Sequence, residues 1–286
     1  MSNLKTAFLL VLLTVLFVGI GTALGGQQGA LIALIFAAVM NLGAYWWSDK
    51  VVLRMYKARE VSEADAPELY SIVADLTQRA RMPMPRVYVI PSPALNAFAT
   101  GRNPEHAAIA VTDGILGVLD RSELTGVLAH ELSHVRHRDI LIGSVAATIA
   151  GAIAFMASMA RWSALFGGFS RDNDRGGNLI VVILVGIVAG VAATVIRLAI
   201  SRSREFEADA GAARLLGDPT PLITGLQKLE AGAQQVPLNA NPATAHMFIV
   251  NPLRGGRMAR MFSTHPSTEE RIRRLKEMVG GVPSLS

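Results

Sequence analysis

Three long, predominantly apolar stretches of the chain contain no Asp, Glu, Lys or Arg: residues 6–48, 140–160 and 176–196. A helix rises about 1.5 Å per residue, so 21 residues cover roughly 31 Å, close to the roughly 30 Å of a bilayer core. The second and third stretches therefore each predict one membrane crossing. The first is 43 residues long and is interrupted by Gly25, Gly26, Gln27, Gln28 and Gly29, which predicts two crossings joined by a tight turn. Four spans follow, near 6–24, 29–47, 140–160 and 177–197. Trp46 and Trp47 close the second, where amphipathic rings favour the membrane interface. A cleaved signal peptide fits the first span less well, because the run exceeds the usual 7 to 15 apolar residues and another apolar span follows at once.

The polar remainder falls in two pieces, giving the expected divisions 1–48, 49–139, 140–200 and 201–286. A two-helix hairpin returns the chain to its starting side, so the two polar pieces can form one domain. In the first, Asp65 is a candidate N-cap, Pro67 follows, and Leu69, Ile72, Val73 and Leu76 form a helical stripe. RVYVI at 86–90 reads as a strand ended by Pro91 and Pro93, and 97–100 and 107–112 read as two more around a turn at 101–104. A helix capped at Ser122 then carries Leu124, Val127 and Leu128 into a His-rich stretch. The second piece reads as mostly helical, with a Pro- and Asn-rich loop at 237–252 and a final helix from near Pro266.

Composition agrees with this pattern. Of 286 residues 51% are hydrophobic and only 17% charged, against about 25% in soluble domains. The formal charge of +5 would suit nucleic acid if it were clustered, but its distribution follows the spans. Lys5, Lys50, Arg54, Lys57, Arg59, Arg136, Arg138, Arg202 and Arg204 lie on one side, and only Arg161, Arg171 and Arg175 on the other. The positive-inside rule then predicts that both termini and the polar domain are cytoplasmic, with the lipid bilayer as partner and no nucleic acid. With no cysteine, any metal must be held by His, Asp and Glu, and a cysteine nucleophile is excluded.

The chemistry is carried by His130-Glu131-Leu132-Ser133-His134. In H-E-x-x-H the two imidazoles, four residues apart, share a helical face and can hold one zinc, while the Glu reaches the metal-activated water. A catalytic zinc needs a third protein ligand. His137 shares that face but lies a further turn along, and reads as a surface residue. The hairpin instead brings back the cluster 201–209, where Glu205 and Asp209 share a face and Glu207 points about 200° from Glu205. Glu205 is the expected third ligand, with Asp209 behind it accepting a hydrogen bond from a ligand imidazole. Paired with Arg202 and Arg204, the same two carboxylates are equally compatible with an ordinary charged helix end.

Together with NAFATG at 96–101, SRSREFEADA at 201–210, NPATAHMFIVNPL at 241–253 and STHPSTEERI at 263–272, these residues resemble the HtpX-type heat-shock membrane metalloproteases, relatives of the CAAX prenyl proteases. The resemblance implies a mainly α membrane protein with four transmembrane helices and a cytoplasmic α+β zincin-like (gluzincin) catalytic domain containing a small sheet. It implies one Zn2+ per chain on His130, His134 and Glu205, with Glu131 as general base. It also implies that the strand at Asn96 holds extended substrate and that His265 and Arg271 act near the site. The implied role is a stress-response endopeptidase of the prokaryotic inner membrane, acting on unfolded or damaged membrane proteins. A non-catalytic membrane scaffold that keeps the same fold is the alternative, and the oligomeric state is open.

Overall fold

The computed structural model describes residues 2–145, 202–235, 249 and 266–279. The spans expected beyond residue 145, the 237–252 loop apart from Ile249, and His265 lie outside the described residues.

The first helical element, α1 (Ser2–Met55), has 54 residues and would measure roughly 81 Å if straight. It is not straight. The Asn41 amide donates to the Leu10 carbonyl at 3.1 Å and to Thr14 Oγ1 at 2.8 Å. The Phe17 and Phe36 rings meet edge to face at 5.3 Å. Residues 10 and 41 of a straight helix would stand roughly 46 Å apart, so α1 turns back on itself. Gly26, in the Gly-Gln run, has φ of 57°, a left-handed conformation that glycine adopts without steric cost. Among the described residues Gly26–Met55 is long and apolar enough to cross a membrane. Leu31, Ile32, Ile35, Val39 and Leu42 are exposed along it, the surface expected of a helix in contact with lipid.

Beyond α1 lie β1 (Arg59–Glu60), α2 (Pro67–Ala80), β2 (Arg86–Ile90), β3 (Ala97–Gly101), β4 (Ala107–Thr112), α3 (Asp113–Val118) and α4 (Arg121–Arg136). Residues 140–145 are again helical, and α5 (Arg202–Leu216), α6 (Thr220–Gln235) and α7 (Thr268–Glu277) follow. The four strands order as β1-β2-β4-β3, with β2 parallel to β4 and the other pairs antiparallel. The parallel pair is joined through β3, which is thereby left at the edge.

Alternation along the strands divides the sheet's two faces. Val87, Val89, Ala97, Ala99, Ile109 and Val111 face the main core, packed against α2, α4, α6 and α7. Tyr88, Ile90, Phe98, Ala108 and Ala110 face the other way, onto Val52 and Leu53 at the end of α1. Burying each of those two α1 side chains contributes about 1.5–3 kcal/mol, enough to seat the sheet on the helix that leaves the apolar hairpin.

Two helix starts differ from the sequence expectation. The α4 cap is Asp120, two residues before Ser122. Its carboxylate accepts from the Glu123 amide while the Glu123 carboxylate accepts from the Asp120 amide, each at 2.9 Å, a reciprocal arrangement that Ser122 has no partner to make. Before α2, Asp65 accepts from the Ser62 amide and hydroxyl, so it closes a turn and leaves Ala66 at the cap. Along α4, a Cβ added at Gly126 would stand 2.5 Å from the Pro221–Leu222 backbone, so that residue sets how closely α6 approaches.

Candidate metal centre

His130 and His134 project from successive turns of α4, and Glu205 comes from the first turn of α5. The two Nε2 atoms are 3.2 Å apart, and the Glu205 carboxylate oxygens lie 3.6 Å from His130 Nε2 and 3.7 Å from His134 Nε2. Two donors each about 2.0–2.1 Å from a tetrahedral zinc stand about 3.3 Å apart, so the three atoms have the spacing of one coordination shell. Among the described residues these form the group of His, Asp and Glu side chains close enough to share an ion. The donor set of two imidazoles and a carboxylate suits zinc, and lone pairs converging this closely repel unless a cation or proton lies between them.

The surroundings hold each ligand. Asp209, one turn after Glu205, lies 2.9 Å from His130 Nδ1, within hydrogen-bond reach of the ring nitrogen that faces away from Glu205. Arg271 of α7, 1% exposed, grips Asp209 with two bonds, Nε to Oδ2 at 2.9 Å and Nη2 to Oδ1 at 2.7 Å. Its Nη2 also stands 3.3 Å from His130 Nδ1, and its Nη1 donates to the Ile249 carbonyl at 2.9 Å. On the other ligand, Asp139 lies 3.6 Å from His134 Nδ1 and is itself approached by Arg204 at 3.4 Å.

Electrostatics separates the two imidazoles. Burial, reinforced by the charge of Arg271, lowers His130 to about 4. Burial also pulls His134 down, but the neighbouring carboxylates of Asp139, Glu205 and Glu131 outweigh it and leave His134 at about 9. Carboxylates that hold a proton so firmly on an imidazole are also placed to hold a dication. Glu131 is raised to about 7, chiefly by burial. Its Oε2 accepts the Ala99 amide of edge strand β3 at 2.9 Å, which ties the carboxylate to that strand.

Asn96 immediately precedes β3 and is buried. Its backbone pairs with Thr112, and its side-chain oxygen accepts the Ile249 amide at 3.3 Å. Asn96 and Arg271 thus hold the two sides of one residue, Ile249. His137 is exposed at the end of α4, and Glu207 is exposed on the far side of α5 from Glu205. Sequence reasoning missed three contributors: Asp139, the Ala99 amide and Ile249. Only Asp139 left a signal, as the last charge before an apolar stretch.

A buried and a half-buried imidazole on one helix, a carboxylate from a second helix and a glutamate beside an edge strand define a metallopeptidase site of the H-E-x-x-H kind. The chain belongs to peptidase family M48, a family of metalloproteases, whose model matches residues 63–279. It is 57% identical over 279 residues to a "Protease HtpX homolog" of Syntrophotalea carbinolica, covering 97% of this chain and 99% of that one. A protein of the same description from Thermococcus kodakarensis is 55% identical over 276 residues, covering 96% and 95%. A crystal structure of S. mikatae Ste24p matches in fold with a TM-score of 0.52 at 20% identity, covering 94% of this chain, which spans 62% of that one.

Proposed function

We propose that the chain is a zinc endopeptidase anchored in the prokaryotic inner membrane by four helices, hydrolysing unfolded or damaged membrane proteins at the cytoplasmic face. The observation that carries the reading is the convergence of His130, His134 and Glu205 with Glu131 beside them against an edge strand. When bound, zinc supplies a Lewis acid that makes water acidic and polarises the scissile carbonyl. His130, His134 and Glu205 would hold it. Glu131 removes the proton from the attacking water and delivers it to the leaving amine, and a pKa near neutrality suits it to both transfers. No covalent intermediate forms with the protein.

β3 supplies the substrate platform. Among the described residues no strand pairs with its outer edge, and an extended peptide added there is recognised through its main chain with few demands on side chains. Such recognition suits unfolded segments of varied sequence. Asp209 and Arg271 orient His130, while His265, implied only by the resemblance, is proposed to stabilise the developing oxyanion. The exposed apolar face of α1 and the run of Lys and Arg on one side of the spans support the membrane placement.

The test is cleavage of casein by the purified full-length protein loaded with zinc, compared with Glu131→Gln. Wild type should cleave, and loss of the base should slow cleavage by about 10²- to 10⁴-fold with zinc still bound. Equal inactivity of both towards several unfolded substrates would favour the non-catalytic scaffold.

A further inference from the structure

Where α1 enters the domain, its end and the β3–β4 turn enclose a cavity of about 520 Å³ that the proteolytic site does not use. Trp46, Trp47 and Lys50 line one wall, and Arg86 and Arg102 the other. The Arg102 guanidinium stacks on the Trp46 ring, 4.5 Å from its centroid.

The charges do not balance. Arg86 is committed to Asp49 at 2.7 Å and to the Tyr88 hydroxyl at 3.1 Å, so that pair is neutral. Neither Lys50 nor Arg102 has a carboxylate within ion-pair distance among the described residues, and Glu105 is the remaining acid of the lining. One net positive charge therefore remains in a half-open cavity. Directly above it on α1 the surface is apolar, with Val39, Leu42 and Tyr45 exposed. A fitting ligand has an anionic head and an apolar body, arranged along the helix in that order.

We propose that this cavity binds the head group of an anionic phospholipid. Its phosphodiester lies between Lys50 and Arg102, with its acyl chains along the exposed face of α1. Trp46 and Trp47 sit at head-group depth, where aromatic rings partition, and the net positive charge left by Lys50 and Arg102 over Glu105 supplies the preference for negative charge. A free anion would not use the apolar wall, and a neutral lipid would not use the surplus charge. The site rests on the membrane placement of α1 and fixes the height and tilt of the domain over the lipid surface.

The test uses the full-length protein in a Trp162→Phe background, which leaves Trp46 and Trp47 as the only tryptophans of the three in the chain. It is reconstituted into phosphatidylcholine nanodiscs carrying increasing brominated phosphatidylglycerol or brominated phosphatidylcholine, and tryptophan quenching is followed. Each basic residue near an anionic surface contributes on the order of fivefold in affinity. Lys50→Gln with Arg102→Gln should therefore require roughly thirtyfold more brominated phosphatidylglycerol for half-quenching, with no change for phosphatidylcholine. Unchanged zinc content certifies the fold, and Lys50→Gln alone serves if the double variant loses zinc. Equal quenching by the two lipids, or by wild type and variant, overturns the proposal, as does abolition of the preference by inorganic phosphate. Failure to enter the discs at all overturns the membrane placement; entry without selectivity overturns the lipid site alone.

Discussion

At His130 and His134 two chemically identical side chains are driven in opposite directions by their neighbours, one lowered to about 4 and the other raised to about 9. His134 therefore carries a proton at pH 8 before zinc binds and must release it to coordinate, since a metal ligand is the neutral imidazole. Calorimetry at pH 8 in buffers of different ionisation enthalpy should detect about one proton released per zinc. An Asp139→Asn variant, without the partner that raises His134, should release less. Behind His130, burial pushes Asp209 upward but Arg271 outweighs it and holds it at about 2. A depressed folded pKa stabilises above the unfolded value of about 3.9, and that stability drains away as pH falls toward about 2. Asp209→Asn should flatten this acid limb in urea unfolding and lower zinc affinity about 10- to 100-fold. Arg271→Leu leaves a buried carboxylate unpaired and should cost about 3–5 kcal/mol, part of it recovered when Asp209 is also replaced. At this scale the i, i+4 spacing made His130, Glu131 and His134 legible. The Ala99 amide on Glu131 and the Ile249 carbonyl on Arg271 were not, because backbone groups have no sequence signature and meet their partners only after folding.

At the scale of elements, periodicity predicted strands at 86–90, 97–100 and 107–112, and the structure has Arg86–Ile90, Ala97–Gly101 and Ala107–Thr112. Short alternating or β-branched runs bounded by Pro and Gly leave little choice of start and stop. Helix starts are less legible in the sequence, since Asp120 and Ser122 are both acceptable caps and only the reciprocal reach of Glu123 selects the first. The order of strands was not legible, yet it is what leaves β3 at the edge beside Glu131. The site also depends on how closely helices approach. Gly126 has Pro221 and Leu222 against its α-carbon, so Gly126→Ala must push α6 away from α4. That should cost about 1–3 kcal/mol, seen as a lower Tm, and loosen the helix that carries both imidazoles. A second tether joins β3 to the next apolar stretch, where Thr100 and Ser144 share a buried hydroxyl bond of 2.7 Å. The edge strand is thus fastened at Glu131 on one helix and at Ser144 on another.

For the whole molecule, α1 is both the apolar hairpin and, through Val52 and Leu53, one of the layers covering the sheet, so the apolar helix and the sheet share a packed face. The turn-back was legible in the Gly-Gln run, because five small or polar residues have no reason to interrupt a single crossing. The continuation of the same element to Met55 was not, since charge reappears at Asp49 and periodicity does not show that a helix passes from an apolar surface into a domain. The pairing of Glu205 with His130 and His134 was legible as an expectation of topology, since two predicted crossings would return the chain to the side from which it left. Zinc content tests that pairing most directly. Metal analysis of purified protein should find one zinc per chain in wild type and in Glu207→Ala, and little or none in Glu205→Ala. Zinc kept by Glu205→Ala and lost by Glu207→Ala would contradict it.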